Sequence, residues 1–387
     1  MRQLLIQKTG TLTEAALLND RKLIDYRKEE AGGISAEQLY MGVVERVVSG
    51  MNAAFVRLND KENGFLPLNE AKQKLKGGDR VLVQVKKPPV QQKAAYLTQD
   101  ISLAAETVIL LPTSAFCSVS KKIEDETVRA ALIKKAKALA PSGMGLVLRS
   151  AAAEVSDEAL KEAIQTLLTR WEAIQDLLPA LRPPCLVPQE LSLAERFFRD
   201  CEAAGEQIDS VVVSEEALCP TRLQSIAHVS EHPFDLYAVQ EQLKKALSRR
   251  VWLKSGGFLV IDPCEALTVI DVNSGKFTGG KAGSEETFLK TNLEAAQEIA
   301  RLMRLRSMGG IVLADFIDMA SEEHREALLS AMQNALKHDP VKCVVHGFTS
   351  LGLMEMTRKK SSAALEAEHS MLCPLCGGTG IRQEEHT

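Results

Sequence analysis

A chain of 387 residues is too long for one simple core and predicts about two to four domains; its 45% hydrophobic content is that of an ordinary globular protein. A formal net charge of −4 excludes attraction of nucleic acid by the chain as a whole, so any such site must be a local basic surface. Eight cysteines, scattered except for Cys373 and Cys376, exclude a disulfide framework, and with no amino-terminal signal and no apolar run of membrane-spanning length the expected location is the cytoplasm, without a membrane span.

Residues 1–28 read as an antiparallel meander, from Gln3-Leu-Leu-Ile-Gln7 through Thr13-Glu-Ala-Ala-Leu-Leu18 to Arg21-Lys-Leu-Ile-Asp-Tyr26, with Asn19-Asp20 as turn chemistry. It is too short to stand alone and is expected to pair with a later segment. From Gln38 to about Ile101 the pattern changes to short strands, at 39–48, 53–58, 64–68 and 79–85, separated by Gly and polar turns. That pattern suits a small barrel of the OB type. Between Lys72 and Lys93 seven basic residues face a single acidic one, Asp79. Phe55 and Phe65 either offer faces on which bases stack beside that charge or fill the barrel beneath a solvated lysine face, and pattern alone leaves both open.

Residues 103–185 read as an α+β module, with strands at Glu106–Leu111 and Gly145–Ser150 and a helix from Asp125 to about Leu139. A second helix carries Leu160, Ile164, Leu167, Leu168, Trp171, Ile174 and Leu178 along one stripe. Arg149 and Ser150 end their strand as a cation and a hydroxyl, a pair able to grip phosphate. Arg182-Pro-Pro-Cys-Leu-Val-Pro188 is the clearest linker. Beyond it come helical segments at 193–202 and 239–249 around a strand at 208–213, which supply what the opening meander lacks.

Two β-branched runs, Phe258–Asp262 and Leu267–Asn273, read as a buried hairpin. A Gly- and Lys-rich loop leads into an amphipathic helix from about Glu285 to Met308, and Ile311–Ile317 forms the next strand. Strand, helix, strand is a crossover that makes its two strands parallel and brings their carboxyl ends to one edge. Asp271 and Asn273 lie at that edge two residues apart, hence on one face, and Asp315 lies near the same edge of the second strand. Two carboxylates beside an amide suit a hard divalent cation, Mg²⁺ above all, although each Asp could equally end a strand or pair with an Arg. A helix at 322–337 and a strand at 341–346 follow. Near the end, Cys373-Pro-Leu-Cys376-Gly-Gly-Thr-Gly380 supplies half of a tetrahedral zinc site, to be completed by a distant side chain or a second subunit.

Taken together, these motifs resemble the ribonuclease E/G family of bacterial endoribonucleases. The resemblance is carried by Glu265-Ala-Leu267, Ile270-Asp-Val-Asn-Ser-Gly275, Lys290-Thr-Asn-Leu-Glu-Ala-Ala296, Asp315-Phe-Ile-Asp-Met319, Gly352-Leu-Met-Glu-Met356 and the terminal Cys-Pro-x-Cys knuckle. Ala53-Ala-Phe-Val56 with Gly64-Phe-Leu-Pro-Leu68 adds a likeness to the family's OB fold. The resemblance implies a multidomain α/β fold: a ribonuclease-H-like subdomain from 1–37 and 187–250, with an OB barrel at 38–101 and a 5′-sensor-like module at 102–186 inserted in it. A deoxyribonuclease-I-like catalytic subdomain at 251–370 and a zinc-link segment at 371–387 complete it.

The same resemblance implies Mg²⁺ on Asp271 and Asp315, with Asn273 orienting one of them, and cleavage of single-stranded RNA to 5′-phosphate and 3′-hydroxyl ends in RNA processing or decay. It implies RNA gripped by Phe55 and Phe65, beside which Lys86, Lys87 or Lys93 of the basic stretch are expected to neutralise phosphates, and a 5′-monophosphate pocket at Arg149, where Ser150 stands in place of the usual Thr. It further implies a homodimer in which Cys373 and Cys376 of two protomers share one Zn²⁺. The family's Gly-rich turn and Ser-Arg-Arg run are replaced here by Thr113–Val119 and Ser120-Lys-Lys122, and its trailing α/β domain does not follow the knuckle. The alternatives are an RNA-binding protein of the same fold with decayed nuclease activity and, more remotely, a chaperone-type zinc module.

Overall fold

The computed structural model describes residues 1–89, 93–123, 125–188, 192–275, 284–360, 364–366 and 373. Among them, strands assemble into four sheets, each with its own apolar packing.

The meander forms as Arg2–Thr9, Leu12–Asn19 and Lys22–Glu30, and it is completed from far along the chain. Ser210–Val213 runs parallel to Arg2–Thr9, with Gln3 opposite Ser210 and Ile6 opposite Val213, and Ala227–Val229 adds the outer edge. Period-two alternation gives this sheet two buried faces. Leu4, Ile6, Ala15 and Leu17 pack with Phe197 and Phe198 of the helix Leu193–Ala203, which Ser192 and Glu195 close with a capping box. Leu5, Ala16, Leu18 and Leu23 face the other way, into the largest core.

The second unit is the closed barrel that the short strands and turns predict. Leu39–Val48, Ala53–Arg57, Asn63–Pro67, Ala95–Thr98 and Arg80–Lys87 pair in that order, and Arg80–Lys87 returns to pair with Leu39–Val48. Its interior is narrow: a Cβ at Gly64 would sit 2.4 Å from Leu97 Cδ1. The third unit is a four-stranded sheet with the helices Glu126–Leu139 and Asp157–Leu177. The predicted stripe is buried at Leu160, Ile164, Leu167, Trp171 and Ile174. Its strand Gly145–Leu148 stops short of the predicted Ser150, because Ser150 opens a 3-10 turn through Ala153.

The fourth unit is a six-stranded sheet in the order Arg250–Trp252, Phe258–Pro263, Leu267–Asn273, Gly310–Asp315, Met354–Arg358, Cys343–Phe348. The predicted crossover is present: the helix Ser284–Leu305 connects Leu267–Asn273 to Gly310–Asp315, and those two strands are parallel while their other neighbours are antiparallel. Helices Ser284–Leu305 and Glu322–Leu336 cover one face through Ala296, Ile299, Met303, Leu328 and Met332. The long helix also binds the first sheet: Arg304, itself buried, forms a fork with Glu206 at 2.7 and 2.9 Å and reaches Asp25 at 3.1 Å. Among the described residues the opposite face of the six-stranded sheet leaves Asp271, Ile311 and Asp315 exposed, and it carries the candidate site.

Candidate metal centre and nucleic-acid interface

Alternation along Leu267–Asn273 sends Ile270 and Val272 into the core and leaves Asp271 and Asn273 on the open face. Along Gly310–Asp315, Val312 and Ala314 point inward and Asp315 outward. The parallel register then sets Asp271 directly opposite Asp315. Asn273 Nδ2 donates a 2.7 Å hydrogen bond to Asp271 Oδ2, which fixes the rotamer of that carboxylate. Partial burial, then the negative charges of Asp271 and Asp318, push the Asp315 pKa above the usual carboxylate value.

Two carboxylates facing each other across one strand spacing repel unless a cation stands between them. Among the described residues no group of three or more His, Cys, Asp or Glu side chains gathers to hold a metal. Two facing carboxylates beside an amide are oxygen donors of the kind that suit Mg²⁺, which keeps several waters and takes one or two carboxylates plus substrate phosphate.

In the barrel, Phe55 and Phe65 do not fill the interior. Ala54, Val56 and Leu66 take the inside positions, so both rings stand half-buried on the outer wall, directly opposite each other. Their centroids lie 6.0 Å apart at 76°, an edge-to-face pair. Strand register extends the pair in both directions: Arg46 opposes Phe55, Tyr96 opposes Phe65, and Lys87 opposes Tyr96. The Arg46 guanidinium sits 5.0 Å from the Phe55 centroid and Tyr96 lies 6.1 Å from Phe65. One row thus crosses five strands as cation, three aromatic rings, cation. Sequence reasoning missed Arg46 and Tyr96, although the alternation Ala95, Tyr96, Leu97 carried a signal for the latter.

Lys87 and Lys93 are exposed. Lys86 is different: its Nζ donates to both carboxylate oxygens of Glu70 at 2.7 Å. Against the burial that would raise it, Lys86 and Thr98 hold the Glu70 carboxyl below its usual range. Lys86 is thereby matched by an acid within the barrel.

Arg149 lies past the end of its strand with its Nη1 donating to Ala105 O at 3.1 Å and 3.7 Å from Asp200 Oδ1, so the guanidinium is engaged internally. Ser150 Oγ stands 3.5 Å from Ser120 Oγ. The 120–122 loop is itself tied down: Lys122 Nζ donates to Asp339 O at 2.5 Å, and Lys342 Nζ to Lys121 O at 3.0 Å. Cys373 is exposed, and Cys376 lies outside the described residues. No helix among the described residues is long and apolar enough to cross a membrane.

A family model described as the ribonuclease E/G family matches residues 102–361. The chain is 34% identical over 411 residues to the protein named ribonuclease G of Salmonella typhimurium, covering 98% of this chain and 84% of that one. To ribonuclease G of Escherichia coli the identity is 33% over the same coverage. To a protein named ribonuclease E from Nostoc it is 35% over 371 residues, 88% of this chain and 54% of the relative.

Proposed function

The chain belongs to the ribonuclease E/G family, and from that membership we propose that it is a Mg²⁺-dependent endoribonuclease acting on single-stranded RNA in RNA processing or decay. The observation that carries the metal chemistry is the direct opposition of Asp271 and Asp315, with Asn273 bonded to the former. Asp271 and Asp315 would hold Mg²⁺. When bound, the ion supplies charge stabilisation to the phosphoryl oxygens and a water of lowered pKa. Asn273 holds Asp271 in the conformation that meets Asp315, and the open sheet face leaves room for the phosphodiester. Attack by water with loss of the 3′ oxygen gives a 5′-phosphate and a 3′-hydroxyl, so no Ser, Cys or His nucleophile is needed.

The row from Arg46 to Lys87 would hold the RNA by stacking, with Lys93 adding charge. Lys86 contributes less, because Glu70 already answers it. The ribonuclease-H-like assignment fits the first sheet with its late-arriving strand, and the deoxyribonuclease-I-like assignment fits the six-stranded one; 102–186 would be the sensor module. Arg149, held by Ala105 and Asp200, must turn away from them to grip a 5′-monophosphate. Both carboxylates and the amide are in place, which counts against a decayed nuclease.

The test is cleavage of a short unstructured oligoribonucleotide by purified protein with Mg²⁺ or EDTA, with the product ends identified. Mg²⁺-dependent cutting that Asp271→Asn abolishes is expected. Cutting that persists in the folded Asp271→Asn protein would remove the assignment.

A further inference from the structure

The open face of the six-stranded sheet holds a second aromatic group that the chemistry above does not use. Trp252, on the edge strand Arg250–Trp252, is 63% exposed while its neighbours Val251 and Leu253 are buried. Register places it opposite Phe258, and Phe258 opposite Asn273. A parallel row runs beside it: Arg250 opposite Val260, Val260 opposite Asp271, Asp271 opposite Asp315. Directly opposed residues project to the same face, so Trp252, Phe258 and Arg250 share the surface of the carboxylate pair. The indole and the Phe258 ring meet at 5.2 Å and 57°, and the Arg250 guanidinium covers Phe258 at 4.5 Å from its centroid.

Packing does not account for this arrangement. The indole sits on an edge strand with its neighbours turned inward and stays largely exposed, and among the described residues the ring it meets is that of Phe258. Trp252 stands two strand spacings from Asn273, on the order of 10 Å. The hairpin between them is tightly seated, since a Cβ at Gly257 would come within 2.7 Å of Asn273 O. An RNA chain whose phosphate lies at Asp271 and Asp315 can therefore bring a flanking base to the indole and a flanking phosphate to Arg250.

Building on the nuclease reading, we infer that Trp252, backed by Phe258 and Arg250, is a base-stacking subsite that seats a nucleotide flanking the scissile phosphate. It is separate from the barrel row and acts on where the chain lies in the cutting site. Stacking tolerates every base, so the subsite sets register more than sequence.

Trp252 is the exposed member of the protein's two tryptophans, and Trp171 is buried. Stacking of a base on it should quench its emission. The parent and Trp252→Phe proteins are titrated, in buffer containing Mg²⁺, with an unlabelled oligoribonucleotide carrying a non-hydrolysable linkage at the cut site, while anisotropy of a labelled copy reports binding independently. Expected are quenching in the parent, its loss in Trp252→Phe, and kcat/KM for cleavage reduced about tenfold in Trp252→Ala but largely kept in Trp252→Phe. An oligoribonucleotide lacking the flanking base should lower the parent's rate and leave Trp252→Ala unaffected. RNA that binds and is cut while tryptophan emission stays constant would overturn the subsite and spare the nuclease reading. Emission that changes with protein concentration, not with RNA, would give the face to a second copy and overturn it too. Failure to bind RNA at all would take the nuclease reading and the subsite together.

Discussion

Replacing Asp315 by Asn separates a metal site from a structural carboxylate, because the two roles predict opposite signs. Asp271 and Asp315 stand opposite each other on neighbouring parallel strands, so their carboxylates are about 5 Å apart. At that distance two charges repel by about 0.8 kcal/mol in water and about 3 kcal/mol at an effective dielectric of 20. Both side chains are exposed on the open face, which puts the value near the lower figure. Without Mg²⁺, Asp315→Asn should therefore be as stable as the parent or more so, by up to about 1 kcal/mol. With Mg²⁺ at 100 times its dissociation constant the parent should gain about 2.7 kcal/mol, a gain that the variant loses. Losing an anchor of the ion should remove about 3 kcal/mol or more of transition-state stabilisation, at least a hundredfold in rate. Urea unfolding with and without Mg²⁺, beside single-turnover cleavage, reads all three effects. Asp271→Asn should also let the raised Asp315 pKa fall toward its ordinary value, since one of its causes is removed. A folded Asp315→Asn protein that unfolds more easily in EDTA, yet cuts RNA at the parental rate, would show the pair to be structural and refute the argument.

Three further outcomes are expected. Phe65→Ala and Tyr96→Ala should each weaken binding of single-stranded RNA by about tenfold, measured by anisotropy; unchanged affinity in a folded double variant would return the rings to a packing role. Against its burial, Arg27 and Arg199 hold the Asp200 carboxyl down to about 2, below its unfolded value near 3.9. Its stabilising share is thus complete above about pH 4 and lost as pH falls toward 2, so Asp200→Asn should flatten the dependence of unfolding on pH in that window. Purified protein should carry about one zinc per two chains, and Cys373→Ser/Cys376→Ser should yield folded monomers by light scattering; an undiminished dimer would exclude the shared site.

What could be read from the chain was whatever is local. The 284–305 helix announces itself by its stripe, and the runs at 258–263, 267–273 and 310–315 by their β-branched residues. Faces and long-range registers were not legible. Size would put Phe55 and Phe65 inside the barrel, yet strand alternation gives the inside positions to Ala54, Val56 and Leu66, so both rings stand outside. The tie between Lys86 and Glu70 joins residues 16 apart that only the closed barrel brings together. Trp252 sits on a three-residue strand, too short for any periodicity to show, and becomes meaningful only opposite Phe258.

The carboxylate pair shows why a local reading could come close and still miss the decisive fact. Within the six-stranded sheet, Leu267–Asn273 and Gly310–Asp315 are the one parallel pair; every other neighbouring pair is antiparallel. An antiparallel partner meets a strand's carboxyl end with its own beginning, as Phe258 meets Asn273. Only a crossover brings two carboxyl ends together, and here the helix Ser284–Leu305 supplies it. The helix could be read from its pattern, and parallel strands followed from it. That Asp271 falls opposite Asp315, not opposite a neighbour one residue along, depends on a register set by the packing of Ile270 and Ala314 on the same core. A slip of one residue would turn one carboxylate into that core. The core that stabilises the sheet therefore also fixes the geometry in which the two acids face each other.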